Sequence, residues 1–101
     1  PNRTGGAVMQ KNLEALGDIQ YSQEEIDFAI EMQKANGKPT LGIDGKIRPL
    51  RETLESPGGG STDVGDVSYN VPVVSLAATT APKGVPWHSW SVVASSGMSI
   101  G

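Results

Sequence analysis

The sequence contains no cysteine, which excludes disulfide bridges and thiolate ligands for zinc. Because disulfides are typical of oxidising compartments, their absence favours a reducing one, and we expect the protein in the cytoplasm. No run of about 18 apolar residues could cross a bilayer, and the first residues lack the basic and apolar pattern of an export signal. We therefore expect no membrane partner.

Basic residues are also scarce. Lysine and arginine total 8 against 11 aspartates and glutamates, the net charge is −3, and the basic residues are scattered along the chain. Nucleic-acid binding needs a basic cluster, so this distribution predicts no nucleic-acid partner. Aromatic residues are few, whereas glycine (13) and proline (7) are frequent. An apolar fraction of 37% in 101 residues predicts one small ordered domain with long loops.

Two helices are predicted in residues 1–35. In the first, which ends at Leu16, apolar residues recur near helical spacing, and Gly17 is suited to end the helix. In the second, Ser22 and Glu25 form an SxxE capping box, in which each side chain satisfies a backbone N–H that the helix leaves unpaired. An apolar stripe follows to about residue 35, made of Ile26, Ala29, Ile30 and Gln33.

Glu24 and Glu25 are adjacent carboxylates, and such a pair is also found in metal and proton-transfer sites. Their place in the first turn of the second helix favours a different role. Carboxylates there interact favourably with the helix dipole, and Glu25 completes the capping box. We interpret both as structural.

The remainder of the chain predicts loops and extended segments. Residues 36–57 are rich in glycine and proline without a regular period, so we expect a loop or flap. Residues 71–80, VPVVSLAATT, are rich in β-branched residues and fit a buried strand, while residues 88–94 alternate like a second strand. Two helices followed by two strands predict an α/β fold of mixed α and β elements.

The stretch GGGSTDVGDV, residues 58–67, combines glycines with hydroxyl and carboxylate oxygens. Its spacing fits neither GxGxxG nor the phosphate-binding P-loop, and it lacks the glycine that a GxSxG nucleophile elbow needs after the serine. It also lacks the alternating oxygens of a calcium loop. Two interpretations stay open: a plain turn with a helix N-cap, or a loop whose glycines let backbone approach a ligand.

His88 is the only histidine, and it lies between Trp87 and Trp90. A single histidine among aromatic residues is more often a hydrogen-bonded structural residue than a ligand. A zinc site needs three or four ligands, and this chain offers neither a second histidine nor a cysteine. Any metal would therefore need ligands from elsewhere.

Three stretches follow one another along the second half of the chain: GSTDVGDVS from Gly60, VP at residues 71–72, and GVPWHSW from Gly84. Together they resemble the carboxy-terminal part of the catalytic domain in a family of dizinc amidohydrolases that includes aminoacylases and carboxypeptidases. The similarity is most specific to the B subunits of aminobenzoyl-glutamate utilisation proteins, which have tryptophan where this chain has Tyr69. Because the chain begins at Pro1 rather than methionine, we expect it to be a piece of such a protein.

The resemblance implies a fragment of a zinc-exopeptidase-like catalytic domain. Residues 1–35 would be its helical part, residues 36–57 a loop or flap, and residues 58–101 the substrate loop, strand and metal-ligand segment. His88 would bind one divalent metal, zinc or alternatively manganese. The substrate would be contacted by a segment that we call the GSTD segment, made of Gly60, Ser61, Thr62 and Asp63.

The same resemblance implies the reaction and the assembly. The parent protein would hydrolyse the amide bond of an N-acyl amino acid or an aminobenzoyl-glutamate-like small molecule, as a homodimer or a two-subunit enzyme. The other metal ligands and the catalytic carboxylates would come from earlier sequence, so no catalytic residue is assigned here and this chain alone should be inactive. The alternative is a non-catalytic binding or interaction module with a structural His88.

Overall fold

The computed structural model describes residues 2–51 and 62–101. These ranges contain four helices: α1 (Arg3–Leu16), α2 (Gln23–Ala35), α3 (Val64–Ser68) and α4 (Trp90–Ser96). They contain no β-strand, so the predicted α/β fold with two strands is wrong, and the described chain is all-helical. No helix in this part of the chain has the length and apolar character needed to span a membrane.

The chain divides into two compact units. The first combines Pro1–Gly17 with Ile47–Leu76, and the second combines Asp18–Lys46 with Ala77–Gly101. Helices α1 and α3 therefore belong to the first unit, and α2 and α4 belong to the second.

Helix α1 confirms the first predicted helix. The Asn2 side chain accepts a hydrogen bond from Gly5 N–H at 2.9 Å, which caps the amino end. At the other end, Gly17 has a φ of 83° and donates its N–H to Leu13 O at 3.0 Å. Only glycine adopts this backbone angle without steric cost, so the helix ends where the sequence predicts.

Within the first unit, a later segment of the chain packs against the first turns of α1, which contain glycine. A Cβ atom placed on Gly5 would lie 2.5 Å from Val74 Cγ2, so the missing side chain is what allows this close approach. Further along α1, the Gln10 side chain donates to Arg48 O at 3.1 Å. Two segments that are distant in sequence are thereby held on one helix.

Helix α2 confirms the second predicted helix together with its capping box. Ser22 Oγ accepts from Glu25 N–H at 3.2 Å, and Glu25 Oε2 accepts from Ser22 N–H at 2.8 Å. The predicted apolar stripe is buried at two of its positions, where Ala29 and Gln33 are both 0% exposed. The face of α2 that carries these two residues forms the interior of the second unit.

The strand predicted at residues 71–80 is wrong. These residues have no regular secondary structure, and most of them are exposed, including Val71, Val74 and Leu76. The preference of β-branched residues for strands reflects packing on the pleated surface of a sheet. Within the described ranges there is no sheet for this segment to join, so the preference has no effect.

The second predicted strand, residues 88–94, is also wrong, because α4 begins at Trp90. The alternation in the sequence suggested a period of two, but the burial pattern follows a helix. Ser91 and Val92 are half-buried and Ser95 is 0% exposed, which places one face of α4 toward the interior at three- and four-residue spacing. Ser95 Oγ also donates to Ser91 O at 2.8 Å, one helical turn earlier.

Candidate functional site around His88

A tight turn brings the chain to His88. Val85 N–H donates to Pro82 O at 3.4 Å, and Gly84 has a φ of 81° within this turn. Val85 is 6% exposed and Pro82 is buried, whereas His88 is exposed. The turn is therefore anchored in the interior of the second unit just before the chain emerges at the histidine.

The backbone of His88 is strained. Its φ is 60°, and among residues 2–51 and 62–101 no other non-glycine residue has a positive φ. The left-handed region costs an L-residue about 1 kcal/mol or more. Residues keep such angles when surrounding contacts over-determine them, and they cluster at functional sites. The environment of His88, rather than its own preference, thus sets its backbone.

The residues around His88 form a small closed loop with exposed side chains. Ser89 Oγ donates to Pro86 O at 2.5 Å and so closes the loop across Trp87 and His88. Because its hydroxyl is used in this way, Ser89 gives no side-chain cap to α4, although it is the N-cap residue. Trp87 is 71% exposed and Trp90 is 86% exposed. The imidazole is therefore accessible from outside this unit.

A buried amide on α2 holds the chain that leads into this loop. Gln33 Nε2 donates to Gly42 O and to Lys83 O, both at 2.9 Å, and Gln33 Oε1 accepts from Gly42 N–H at 2.8 Å. Lys83 N–H also donates to Gly42 O at 3.4 Å. Gln33 therefore joins α2 to two loops that are far apart in sequence, one of which continues into the His88 turn.

A second amide, just after the last turn of α2, holds the chain that leaves the loop. Asn36 Nδ2 donates to Ser91 Oγ at 2.7 Å in the first turn of α4, and also to Met32 O at 2.7 Å. Sequence reasoning assigned no role to Asn36, and it placed Gln33 on an apolar stripe. A signal for Gln33 was present, because a polar residue at a buried position of such a stripe needs hydrogen-bond partners.

The GSTD segment is described only in its second half. Gly60 and Ser61 lie outside the described residues. Thr62 and Asp63 are exposed, and Thr62 Oγ1 accepts from Val64 N–H at 3.4 Å. Asp63 is the N-cap residue of α3 but makes no side-chain cap. A short helix thus follows the glycine-rich stretch, and both interpretations of this motif allow for one.

The two parts of the predicted site fall in different units. Thr62 and Asp63 belong to the first unit and His88 to the second. The assignment of the GSTD segment to substrate and of His88 to a metal stays a prediction.

The described residues offer a metal ion one candidate ligand, His88. No hydrogen bond between described residues involves the exposed His88 ring, and neutral imidazole is a good zinc ligand. However, residues 2–51 and 62–101 contain no group of three or more His, Cys, Asp or Glu side chains that could hold a metal ion. The described residues do not complete a metal site, so no step of hydrolysis is assigned to them.

The resolved pKa shifts belong to the start of α2. A hydrogen bond from Ser99 lowers the pKa of Glu25 from its ordinary value of 4.5, and the backbone N–H of Ser22 lowers it further. Burial raises the pKa of Tyr21 from 10.0, with smaller contributions from the charges of Glu25 and Asp44. Both shifts follow from the capping arrangement and its surroundings, and they need no catalytic explanation.

Comparison with known proteins gives one informative match. No protein-family model and no solved structure matches the chain. Among curated proteins, the subunit of p-aminobenzoyl-glutamate hydrolase that is designated B, from Escherichia coli (strain K12), is 31% identical over 124 aligned residues. The alignment includes 99% of this chain but 26% of the relative, so the chain spans about a quarter of that protein's length. The comparison therefore shows a distant link between this chain and that hydrolase subunit.

Proposed function

We propose that this chain is part of a metal-dependent amide hydrolase, in which His88 supplies one metal ligand and the GSTD segment contacts the substrate. The distant similarity to the p-aminobenzoyl-glutamate hydrolase subunit carries the proposal, because it extends over 99% of the chain. The substrate class that we assign is an N-acyl amino acid or an aminobenzoyl-glutamate-like amide. The relative is named as a subunit, so we also assign this chain to an assembly of more than one polypeptide or copy.

The state of His88 supports the role of a ligand. Its side chain is exposed and its backbone has a φ of 60°, so the fold maintains a strained angle at the one histidine of the chain. A bound zinc ion would polarise the amide carbonyl and activate water, and zinc is the metal we propose, with manganese as the alternative. The further ligands would come from residues other than those described, and the chain on its own should be inactive.

The test uses the full-length protein that contains this chain. We expect His88→Ala to lower zinc content, and to lower hydrolysis of p-aminobenzoyl-glutamate by roughly a hundredfold or more, since even outer partners of a metal site contribute 10- to 100-fold. Met98→Ala changes an exposed side chain (63% exposed) of the same unit and should leave both quantities unchanged. Full zinc content together with full activity in His88→Ala would contradict the proposal.

The role of the GSTD segment has its own test. Asp63→Ala in the full-length protein should raise KM for the amide substrate and leave zinc content unchanged, because the segment is assigned to substrate rather than to metal. Asp66→Ala removes a carboxylate from α3, three residues further along the chain, and provides the matched control. Equal KM values in Asp63→Ala and the unaltered protein would remove Asp63 from the proposed substrate contact.

The second candidate is a non-catalytic interaction module. The observation that favours it is the exposure of large apolar side chains in and beside α4, where Trp87, Trp90 and Val93 are 71%, 86% and 60% exposed. Apolar side chains grouped in this way are typical of surfaces that another protein covers. A His88→Ala variant that keeps its metal content, combined with a Trp90→Ala variant that loses binding to a partner polypeptide, would favour this candidate.

A further inference from the structure

His88 occupies a conformation that it does not favour by itself, and such an angle persists only where other contacts enforce it. The hydrogen bond from Ser89 to Pro86 O is local, and it does not by itself fix the residues before Pro86 or after Ser89. What fixes those ends is found on α2.

Two amides at the end of α2 hold the segment on both sides of His88. Gln33 binds Lys83 O, five residues before the histidine, and Asn36 binds Ser91 Oγ, three residues after it. Gln33 and the C-cap residue Asn36 are three residues apart at the carboxyl end of α2, so they follow one face of the helix.

The first of these contacts is rigid. Gln33 is 0% exposed, and its amide uses both oxygen and nitrogen in hydrogen bonds to the backbone of Gly42 and Lys83. A buried amide with all of these partners has one orientation, because turning it would leave buried groups unpaired. The Lys83 carbonyl is therefore held at a fixed place relative to α2.

We propose that Gln33 and Asn36 are positioning residues for His88: they fix the ends of segment 83–91 on α2 and thereby keep the histidine backbone in the left-handed region. This inference rests on the proposed function, in which the positioned imidazole is a metal ligand. Groups that hydrogen-bond directly to a metal-binding histidine change metal affinity by about 10- to 100-fold when they are removed, so we expect these more remote contacts to change it by about tenfold or less.

The direct test measures the backbone of His88 by NMR in the 101-residue chain. At positive φ the amide proton and Hα of one residue come close together, so the intraresidue NOE of His88 should exceed that of its neighbours. We expect Gln33→Met and Asn36→Ala each to weaken this NOE, because the segment then samples ordinary backbone angles. An unchanged NOE in both variants would overturn the inference.

Controls separate a local effect from loss of the fold. Gln23→Ala changes the same residue type in the same helix, where the side chain bonds to Asp27, and it should leave the NOE of His88 unchanged. The Ser22 and Glu25 amide signals report whether α2 and its capping box persist. If Gln33→Met does not fold, Asn36→Ala and Ser91→Ala decide the question, because each removes the hydrogen bond between Asn36 and Ser91. Each variant should weaken the NOE of His88. The variant that carries both changes should weaken it no more than either single variant.

Zinc affinity of the full-length protein distinguishes failure of this inference from failure of the proposed function. Gln33→Met and Asn36→Ala should each weaken zinc affinity by up to about tenfold, while Gln23→Ala should not. If His88→Ala binds zinc normally, the proposed function fails even where the NOE result stands. If His88→Ala loses zinc but Gln33→Met and Asn36→Ala keep both zinc affinity and the NOE, only the positioning role is wrong.

Discussion

The Gln33 side chain pairs with Gly42 in both directions: its oxygen accepts from the Gly42 N–H at 2.8 Å, and its nitrogen donates to the Gly42 carbonyl at 2.9 Å. The amide of Gln33 therefore bonds to both the N–H and the carbonyl of Gly42, as the backbone of a neighbouring strand would in a sheet. A third hydrogen bond, to Lys83 O, ties this pair to the chain that leads to His88. The interior of the second unit is thus organised around a polar residue.

Replacing Gln33 should strongly destabilise the second unit. Gln33→Met keeps a similar volume but leaves the N–H of Gly42 and two backbone carbonyls without these partners. Gly42 O keeps the hydrogen bond from Lys83 N–H, and Lys83 is exposed, so the Gly42 N–H is the buried group left without a partner. We therefore expect the free energy of unfolding to fall by about 1–3 kcal/mol. Urea denaturation followed by circular dichroism measures this change. Gln23→Ala, at an exposed position of α2, should stay within about 0.5 kcal/mol of the unaltered chain.

The backbone angle of His88 predicts an unusual ordering of two variants. His88→Gly and His88→Ala both remove the imidazole, but only glycine relieves the cost of a φ of 60°. We expect His88→Gly to be more stable than His88→Ala by about 1 kcal/mol. Thermal and urea unfolding of the pair measures the difference. Equal stabilities would mean that the chain does not hold this residue at a positive φ in solution.

The stability of the capping box should depend on pH through Glu25. Its pKa lies below the ordinary value of 4.5 in the folded chain because Ser99 and the Ser22 N–H donate hydrogen bonds to the carboxylate. A lowered folded pKa means that the stabilisation is complete above pH 4.5 and is lost as the pH falls through the folded value. Glu25→Gln should therefore be less stable than the unaltered chain at neutral pH, and the difference should shrink in acid.

The control for that pH series is Glu24→Gln. This change removes a carboxylate from the same first turn of α2 and leaves both hydrogen bonds of the capping box in place. Urea denaturation at a series of pH values compares the two variants. A stability difference between Glu25→Gln and the unaltered chain that stays constant down to the acid limit would contradict the expected linkage.

Substitution by alanine should have opposite effects on stability at two glycines, Gly45 and Gly65. A Cβ on Gly45 would collide with the backbone oxygen of Ile19 and would lie 3.0 Å from a ring carbon of Tyr21. Gly45→Ala should therefore destabilise the second unit by about 1–3 kcal/mol. Gly65 lies in α3 with nothing within 4 Å of such an atom, so Gly65→Ala should be neutral or stabilising by up to about 1 kcal/mol. Equilibrium unfolding of the two variants tests this contrast.

Sequence pointed to His88, and only the structure revealed how its segment is held. The three stretches that resemble dizinc amidohydrolases include GVPWHSW and so singled out His88, whose role as a metal ligand stays a prediction. Its left-handed backbone could not be foreseen, since a positive φ is uncommon for every residue other than glycine. The two amides that hold the segment were missed for a similar reason: their partners lie 50 and 55 residues away along the chain.

The sequence by itself determined both ends of α1 and the start of α2. Asn2, Gly17, Ser22 and Glu25 act on backbone groups within a few residues of themselves, so their effects do not depend on the remainder of the fold. Tertiary structure decided the conformation of residues 71–80, because β-branched residues form a strand only where a sheet is present for them to join. It also decided that residues 90–96 form a helix, in which Ser91 and Ser95 face the interior. It also decided the backbone angle of His88, which distant contacts must enforce against the local preference of the chain.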